Sequence, residues 1–304
     1  MWVLLPVAGI SNLLPLLVGV GAVVGFMSGL FGVSGGFLLT PVLMMIGIPP
    51  TVAAASDSCQ IVAGSSSGTA AHLRMGNVDI KLGTVLLLGG LTGGWIGVRV
   101  IKYLRALGAA DLTITVTYVL MLGLVGSYMF VESLRSLRRG ALVPKSHVST
   151  PGPSVLSRLP FQMDFPRSQV RHSILFPFFL AGIVGILAAI MGVGGGFIMV
   201  PMMVYLLGMP MHVAVGTSLF QILFTCAGVT YMQATTNHTV DLVLALLLAT
   251  GSTIGVQVGA RVGRRLRGDQ IKILLASVVL LVMVKMAAGL LLTPAIHLTP
   301  AKGH

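Results

Sequence analysis

The chain has 304 residues, of which 55% are hydrophobic and 9% are charged, and its net charge is +12. Soluble domains carry about 25% charged residues, so this composition excludes an ordinary soluble domain. The basic residues lie between long apolar runs and are not interleaved with aromatic residues, which is typical of membrane loops and not of a nucleic-acid-binding surface. We therefore expect a polytopic helical membrane protein whose partner is the lipid bilayer and not a nucleic acid.

The first half of the chain contains five apolar segments, near residues 12–31, 36–48, 51–72, 82–104 and 112–132. Runs of about 20 apolar residues can cross a hydrocarbon layer of about 30 Å. The second segment has about 13 residues and covers only about 20 Å at 1.5 Å per residue, so it is too short to cross comfortably. No Lys or Arg precedes the first segment, so we expect an uncleaved membrane span there and not a signal peptide.

A stretch rich in Pro, Ser and Arg separates this half from a second one, whose apolar segments lie near 173–191, 195–208, 212–235, 240–263 and 270–292. The two halves share residues in the same order: GVSGGFLLTP at 32–41 and GVGGGFIMVP at 192–201, Gln60 and Gln221, Asp79 and Asp241, Arg99 and Arg261. Such ordered matches predict a tandem duplication. The predicted domains are a first repeat, a cytoplasmic linker and a second repeat, at 1–133, 134–172 and 173–304.

The loop charges indicate how the repeats are oriented. Five crossings per half would invert one repeat relative to the other and place most of the loop Lys and Arg residues on one side. Four crossings would make the repeats parallel and divide these cations almost equally. The bias toward one side favours inverted repeats with both termini outside. The expected fold is an all-α polytopic membrane protein with two homologous halves of about five helical segments each, one of them short.

The glycine clusters mark the start of the short segment in each half. A helix that begins inside a membrane leaves its first N–H groups without partners, and this is tolerated only where protein or a watery cavity satisfies them. A bound anion also satisfies them, because the N–H groups and the helix dipole favour negative charge. We therefore predict that the glycines line a substrate site: Gly35, Gly36, Gly194, Gly195 and Gly196. The alternative is that they only allow helices to pack closely.

Polar residues inside the third apolar segment of each half are further candidates for substrate binding. Hydroxyl and amide groups there can donate hydrogen bonds to an oxyanion: Ser56, Ser58 and Gln60 in the first half, and Thr217, Ser218 and Gln221 in the second. The two glutamines match across the repeat, which would allow them to face each other across the pseudo-twofold axis. The alternative is that these residues hold packed helices together.

Two charged residues inside apolar segments, Asp57 and Lys285, have no counterpart in the other half. Burial favours the neutral form of a carboxyl group, so Asp57 is a candidate for carrying a coupling proton. A structural ion pair between Asp57 and Lys285 is the alternative.

The remaining duplicated charges lie at the ends of long apolar segments. Asp79 and Asp241 each precede such a segment, and we expect them to be helix caps. Arg99 and Arg261 either attract anions to the two mouths of the protein or simply mark helix ends.

These motifs also resemble a known family. GVSGGFLLTP followed by GIPPTVAAASDS, and GVGGGFIMVP followed by GMPMHVAVGTSL, are similar to the paired signatures of the sulfite exporter TauE/SafE family. GGWIGVRV and GSTIGVQVGARV resemble its later glycine-rich helix, so the resemblance covers roughly 20–105 and 180–290. It implies a multi-pass permease of the bacterial inner membrane for sulfite, organosulfonates or related small anions. The sequence departs from the pattern at Ser34, where the second copy has Gly194, and at ASDSCQ, which replaces VGTSLFQ.

The expected function is therefore secondary transport of a small anion, with an anion channel or a transporter of small carboxylates as alternatives. The chain has no G-x-x-x-x-G-K-[ST] sequence for nucleotide hydrolysis. It also has no His/Asp/Glu or Cys/His constellation at membrane depth, so we predict no enzyme activity, no catalytic residue, no metal and no cofactor. The sequence leaves open the direction of transport, the coupling ion and whether the protein forms a homo-oligomer.

Overall fold

The computed structural model describes residues 2–8, 10–31, 36–138, 162–165, 167–168, 170–263 and 268–292. Within these ranges the chain forms ten α-helices. The first half contains α1 Leu14–Phe31, α2 Gly36–Met45, α3 Pro50–Arg74, α4 Ile80–Ala106 and α5 Ala110–Arg138. The second half contains α6 Leu175–Met191, α7 Gly196–Tyr205, α8 Met211–Met232, α9 Leu242–Gly263 and α10 Gly268–Leu292, with a π-helical turn Gln233–Asn237 after α8.

The helices confirm the prediction of a helical membrane protein built from five segments per half. Within the described ranges, five helices are long and apolar enough to cross a membrane: 80–106, 110–128, 211–237, 242–259 and 274–291. The predicted short segments are also found, since α2 and α7 have ten residues each. At 1.5 Å per residue each short helix is about 15 Å long, about half the thickness of the hydrocarbon layer.

One β-hairpin precedes the first helix of each half, and sequence analysis predicted neither hairpin. Strand β1 (Trp2–Leu5) pairs with β2 (Ile10–Leu13), and β3 (Gln162–Phe165) pairs with β4 (Val170–Ser173), both antiparallel. The second hairpin lies at the end of the predicted linker, 134–172, and extends one residue beyond it to Ser173. Helix α5 also extends into that stretch, as far as Arg138, and the rest of the linker prediction, at 139–161, lies outside the described residues.

The first helix of each half packs against the fourth helix of the other half. In the α1–α9 pair, a Cβ atom on Gly25 would lie 2.5 Å from the Cα of Ser252. In the α6–α4 pair, a Cβ atom on Gly185 would lie 3.0 Å from the Cα of Gly90. These two contacts join equivalent positions of the repeat. Small residues let the backbones approach this closely, so the glycine-rich fourth segments are packing surfaces.

The third helices of the two halves pack against each other and run antiparallel. Gly68 of α3 faces Leu219 of α8, whereas Gly216 at the start of α8 faces His72 at the end of α3. Residue numbers that increase along α3 are therefore paired with residue numbers that decrease along α8, as in an antiparallel pair. The α5–α10 pair is also antiparallel, since Gly126 faces Val279 and Gly123 faces Met283. One hydrophobic core cluster contains residues of both halves, including Phe37 of α2 and Phe197 of α7.

Candidate functional site

The two short helices begin beside each other. Phe37 and Phe197, at equivalent positions in the first turns of α2 and α7, stack with ring centroids 5.6 Å apart and an interplanar angle of 30°. Gly194 and Gly195 have φ values of +69° and +74°, in the left-handed region that favours glycine. The chain therefore needs these glycines to turn from α6 into α7. Of the first cluster, Gly36 begins α2, and Gly35 lies outside the described residues.

Protein atoms surround the second glycine cluster closely. A Cβ atom on Gly194 would lie 2.9 Å from Cys226 Sγ and 3.0 Å from Ile222, both in α8. A Cβ atom on Gly192 would overlap the carbonyl oxygen of Ala54 in α3, and Gly196 is buried. In this structure the glycines act as close-packing residues as well as turn residues, so a bound anion would require the surrounding helices to move apart.

Asp57 lies beside the first turn of α2. It is completely buried, and its Oδ2 accepts a hydrogen bond of 2.7 Å from the hydroxyl of Thr40. Among the described residues its Oδ1 has no hydrogen-bond partner, and it would lie 3.3 Å from a Cβ atom on Gly36. A negative charge is favoured next to a helix N-terminus, so Asp57 occupies the kind of position that was predicted for a substrate anion.

Two further polar residues near this point were missed by sequence analysis. Thr40 holds Asp57, and Tyr118 of α5 is completely buried and donates a hydrogen bond to the carbonyl of Met191, the last residue of α6. Both are polar residues in apolar segments, and that signal alone should have marked them as candidates. Tyr118 ties α5 to the chain just before the second glycine cluster.

The ion pair between Asp57 and Lys285 is not formed, and that alternative was wrong. Asp57 is buried, whereas Lys285 is exposed on the surface of α10. Its neighbours Leu281 and Val284 are also exposed, by 67% and 59%. Lys285 lies on the outer face of α10, so it cannot neutralise a carboxylate in the core.

Ser56 and Thr217 make equivalent hydrogen bonds across the two halves. The hydroxyl of Ser56 accepts from the backbone N–H of Asp241 at 3.0 Å, and that of Thr217 accepts from the backbone N–H of Asp79 at 3.0 Å. Each bond joins a third helix to the start of the fourth helix of the other half. Because α3 and α8 are antiparallel, the two bonds lie at opposite ends of this pair.

The two aspartates cap their helices, as predicted. Asp79 Oδ1 accepts from the N–H of Leu82, and Asp241 Oδ1 accepts from the N–H of Leu244. Their second oxygens bind the hairpin turns: Asp241 Oδ2 accepts from the N–H of Val7, and Asp79 Oδ2 accepts from the N–H and hydroxyl of Ser168. We call these two groups the Asp79 node (Asp79, Thr217 and Ser168) and the Asp241 node (Asp241, Ser56 and Val7).

The two glutamines contact different helices and not each other. Gln60 donates a 2.6 Å hydrogen bond to Ser252 of α9. Gln221 donates to Thr225 at 3.2 Å, and its amide nitrogen would lie 2.7 Å from a Cβ atom on Gly90 of α4. Ser252 and Gly90 are equivalent positions, so each glutamine contacts the fourth helix of the other half. The Oε1 atom of Gln221 is buried and has no hydrogen-bond partner in the part of the chain that the structure describes.

The other two predicted hydroxyls bond within their own helices. Ser58 donates to the carbonyl of Ala54 at 3.2 Å, and Ser218 donates to that of Val215 at 2.9 Å. In this closed arrangement Ser56, Gln60 and Thr217 join helices of the two halves. Ser58, Ser218 and Gln221 instead donate hydrogen bonds within their own helices.

Arg99 and Arg261 are both exposed near the ends of α4 and α9, but their surroundings differ. The guanidinium of Arg99 lies 3.9 Å from the centroid of the Trp95 ring and lines a cavity of about 680 Å³. Arg261 lies in the last turn of α9, and the position equivalent to Trp95 is occupied by Gln257.

Helices that are long and apolar enough to cross a bilayer, packed together with two short helices whose first turns are largely buried, define a polytopic membrane protein. The sequence profile of the sulfite exporter TauE/SafE family matches residues 17–286, and the chain belongs to this family. It is 27% identical to the probable membrane transporter protein YunE of Bacillus subtilis over 88% of this chain and 94% of that protein. A probable membrane transporter protein of Methanocaldococcus jannaschii is 24% identical over 88% of this chain and 92% of its own length.

A shorter match joins the chain to a plant protein. The sulfite exporter TauE/SafE family protein 1 of Arabidopsis thaliana is 33% identical over 26% of this chain and 17% of that protein. No solved structure matches the chain. These relatives establish a family of membrane transporters.

Proposed function

We propose that this protein is a secondary transporter that moves a small anion, such as sulfite or an organosulfonate, across the bacterial inner membrane. The observation that carries the proposal is the contact between the first turns of α2 and α7, with Asp57 buried beside one of them. Two helix N-termini that lie against each other would offer a dense group of N–H donors to an oxyanion. Membership of a family named for sulfite export supports a sulfur oxyanion as the substrate.

The directions of the helices support an inverted repeat. If the pseudo-twofold axis lay along the membrane normal, equivalent helices would run in the same direction. Helices α3 and α8 are equivalent and antiparallel, as are α5 and α10. This geometry fits an axis in the membrane plane, which is the arrangement of many secondary transporters with a substrate site between the repeats.

Substrate binding at this site requires the closed packing around the glycines to open. Separation of α2 from α7 would expose the first-turn N–H groups of both helices. The predicted hydroxyls and amides of Ser56, Ser58, Thr217, Ser218 and the two glutamines lie on α3 and α8, which flank the short helices. Ser56, Gln60 and Thr217 would then exchange their helix–helix hydrogen bonds for bonds to the anion. Ser58, Ser218 and Gln221 would exchange bonds within their own helices. Arg99 and Arg261, exposed near the ends of α4 and α9, would raise the local anion concentration at the two mouths.

Asp57 provides a mechanism for proton coupling. A carboxylate beside the α2 N-terminus occupies the position that favours a substrate anion, and two negative charges in a dry site repel each other strongly. Anion binding therefore favours the neutral acid, and release of the anion favours loss of the proton. Each anion would then move together with one proton, which links the flux to the proton gradient.

The proposal is tested with purified protein in proteoliposomes that take up radiolabelled sulfite under an imposed pH gradient, with the membrane potential clamped. The wild type should accumulate sulfite above the external concentration. Asp57→Asn mimics the neutral acid, so it should lose proton-driven accumulation but still exchange internal for external sulfite. Asp111→Asn is the control, because Asp111 is an exposed carboxylate at the start of α5, where it accepts a backbone hydrogen bond from Thr51.

Each alternative gives a different result. Sulfite flux that only runs down the sulfite concentration gradient would indicate an anion channel. Accumulation of a small carboxylate instead of sulfite would change the substrate class. If Asp57→Asn still accumulated sulfite as the wild type does, Asp57 would have no role in proton coupling. Transport of no anion from a panel of sulfite, thiosulfate, sulfonates, sulfate and small carboxylates would overturn the proposal.

A further inference from the structure

Two neighbouring cavities lie between α4 and the end of α8, and their described lining residues include none of the predicted substrate-site glycines. The larger one, of about 680 Å³, is lined by Arg99, Lys102 and Tyr103 in the last turns of α4, together with Trp95 and Met232. The smaller one, of about 500 Å³, shares Trp95 and Met232 and is otherwise lined mainly by apolar groups, including Leu91 and Ile96. The two cavities therefore form one continuous surface that is basic at one end and apolar at the other.

The polarity of this surface follows the direction of α4. The basic residues lie at the C-terminal end of a 27-residue helix that is long enough to reach the membrane surface. The apolar residues Leu91 and Ile96 lie one to three turns deeper along the same helix. Trp95, Tyr103 and Tyr231 are 49%, 67% and 70% exposed, which is the behaviour of the aromatic belt at the boundary between headgroups and hydrocarbon.

Interactions within the protein hold the basic end in place. The guanidinium of Arg99 lies over the Trp95 ring at 3.9 Å, a cation–π geometry that orients the cation. The π-helical turn after α8 forms the other wall. Its residue Asn237 donates to the carbonyl of Val98 at 3.3 Å and to the side chain of Gln233 at 2.6 Å. Isolated π-helical turns often occur at functional sites.

We propose that these joined cavities form a binding site for one anionic phospholipid. The phosphate group would lie between Arg99 and Lys102, and an acyl chain would lie in the apolar groove beside Leu91 and Ile96. Basic pockets between membrane helices are suited to anionic headgroups, and the cavity volumes are sufficient for a headgroup and part of a chain. A free phosphate or substrate anion shares the headgroup chemistry, but the apolar groove has no role in binding it.

The experiment measures lipid binding to the purified full-length protein by native mass spectrometry in detergent. Titration with phosphatidylglycerol should give a saturable one-to-one complex, and phosphatidylcholine should bind more weakly. The double substitution Arg99→Gln, Lys102→Gln should weaken phosphatidylglycerol binding by about 30-fold, the factor expected for the loss of two cations near a membrane surface. Arg261→Gln is the matched control, because Arg261 is equivalent to Arg99 but has Gln257 at the position of Trp95. This variant should bind phosphatidylglycerol as tightly as the wild type does.

Further arms separate a lipid from a free anion. Dihexanoyl phosphatidylglycerol has the same headgroup but short chains, so it should bind more weakly than the long-chain lipid. Inorganic phosphate at millimolar concentration should compete poorly. Equal binding of both chain lengths together with full competition by phosphate would indicate a free-anion site, and an unchanged affinity of the double variant would overturn the proposal altogether. Arg99→Lys keeps the charge and loses the planar stacking, so it provides a second variant if the double variant fails to fold.

Discussion

Removal of the Ser56 hydroxyl should loosen the Asp241 node and leave the Asp79 node in place. The substitution Ser56→Ala deletes the acceptor of the Asp241 N–H, which is 3.0 Å away in a fully buried environment. A buried N–H that loses its partner costs about 1–3 kcal/mol. Local opening at that node should therefore become about 5–150-fold more frequent, since 1.4 kcal/mol corresponds to a factor of ten.

Hydrogen exchange measured by mass spectrometry in detergent tests this expectation segment by segment. In Ser56→Ala, exchange should accelerate in 2–13 and 238–245, which contain the hairpin and helix start of the Asp241 node. Segments 76–83 and 162–173, which contain the Asp79 node, should keep the wild-type rate. Thr217→Val is the matched variant, because it deletes the acceptor of the Asp79 N–H at nearly constant size and should give the opposite pattern.

Equal acceleration of exchange at both nodes in either variant would contradict this prediction. That result would mean that the substitutions reduce global stability and that the two ends do not open independently. If the ends are independent, the double variant should accelerate both nodes to the extents of the single variants, because energies of distant sites add to within about 0.5 kcal/mol. A transporter of the alternating-access type needs this independence, since one end has to open while the other stays closed.

Two other substitutions test the packing and the substrate site. Gly93→Ala should destabilise the protein by about 1–3 kcal/mol, because the new Cβ would overlap the Gly182 carbonyl of α6. Gly64→Ala, where a Cβ would meet nothing within 4 Å, should melt near the wild-type temperature, and equal losses in both variants would contradict the prediction. The double substitution Gln60→Leu, Gln221→Leu should abolish the rise in melting temperature that an oxyanion gives the wild type. An unchanged response would remove both glutamines from the site.

The positions of the ten helices could be predicted because apolar length and glycine or proline breaks are local signals. The predicted segment near 82–104, for example, corresponds to α4 at Ile80–Ala106, and the short segment near 195–208 to α7 at Gly196–Tyr205. The capping roles of Asp79 and Asp241 followed from the same kind of signal, because a cap depends only on the next few residues.

The hairpins and the helix partners could not be predicted in this way. The strands have four residues each, too few to display a period of two against an apolar background. Gln60 bonds to Ser252 because α1 and α3 both pack against α9 of the other half. No local sequence pattern encodes a contact between residues that are 192 positions apart. The repeat contained a usable signal, however. Gln60 matches Gln221, and Ser252 matches Gly90. The contact between Gln60 and Ser252, once known, would therefore have predicted the contact between Gln221 and Gly90.

The repeated contacts also show where the two halves differ. The aspartate node and the first-to-fourth helix pair each occur twice, once for each half. The Asp57–Thr40 hydrogen bond occurs once, because Ser218 and Val200 occupy the matching positions. Two identical inverted halves would give the inward-open and outward-open states equal energies. If the repeats are inverted as proposed, a titratable group in one half alone would remove this equality and would make the balance between the two states depend on its protonation. The gradients still set the direction of net transport, and the proposed role of Asp57 is to let the proton gradient act on that balance.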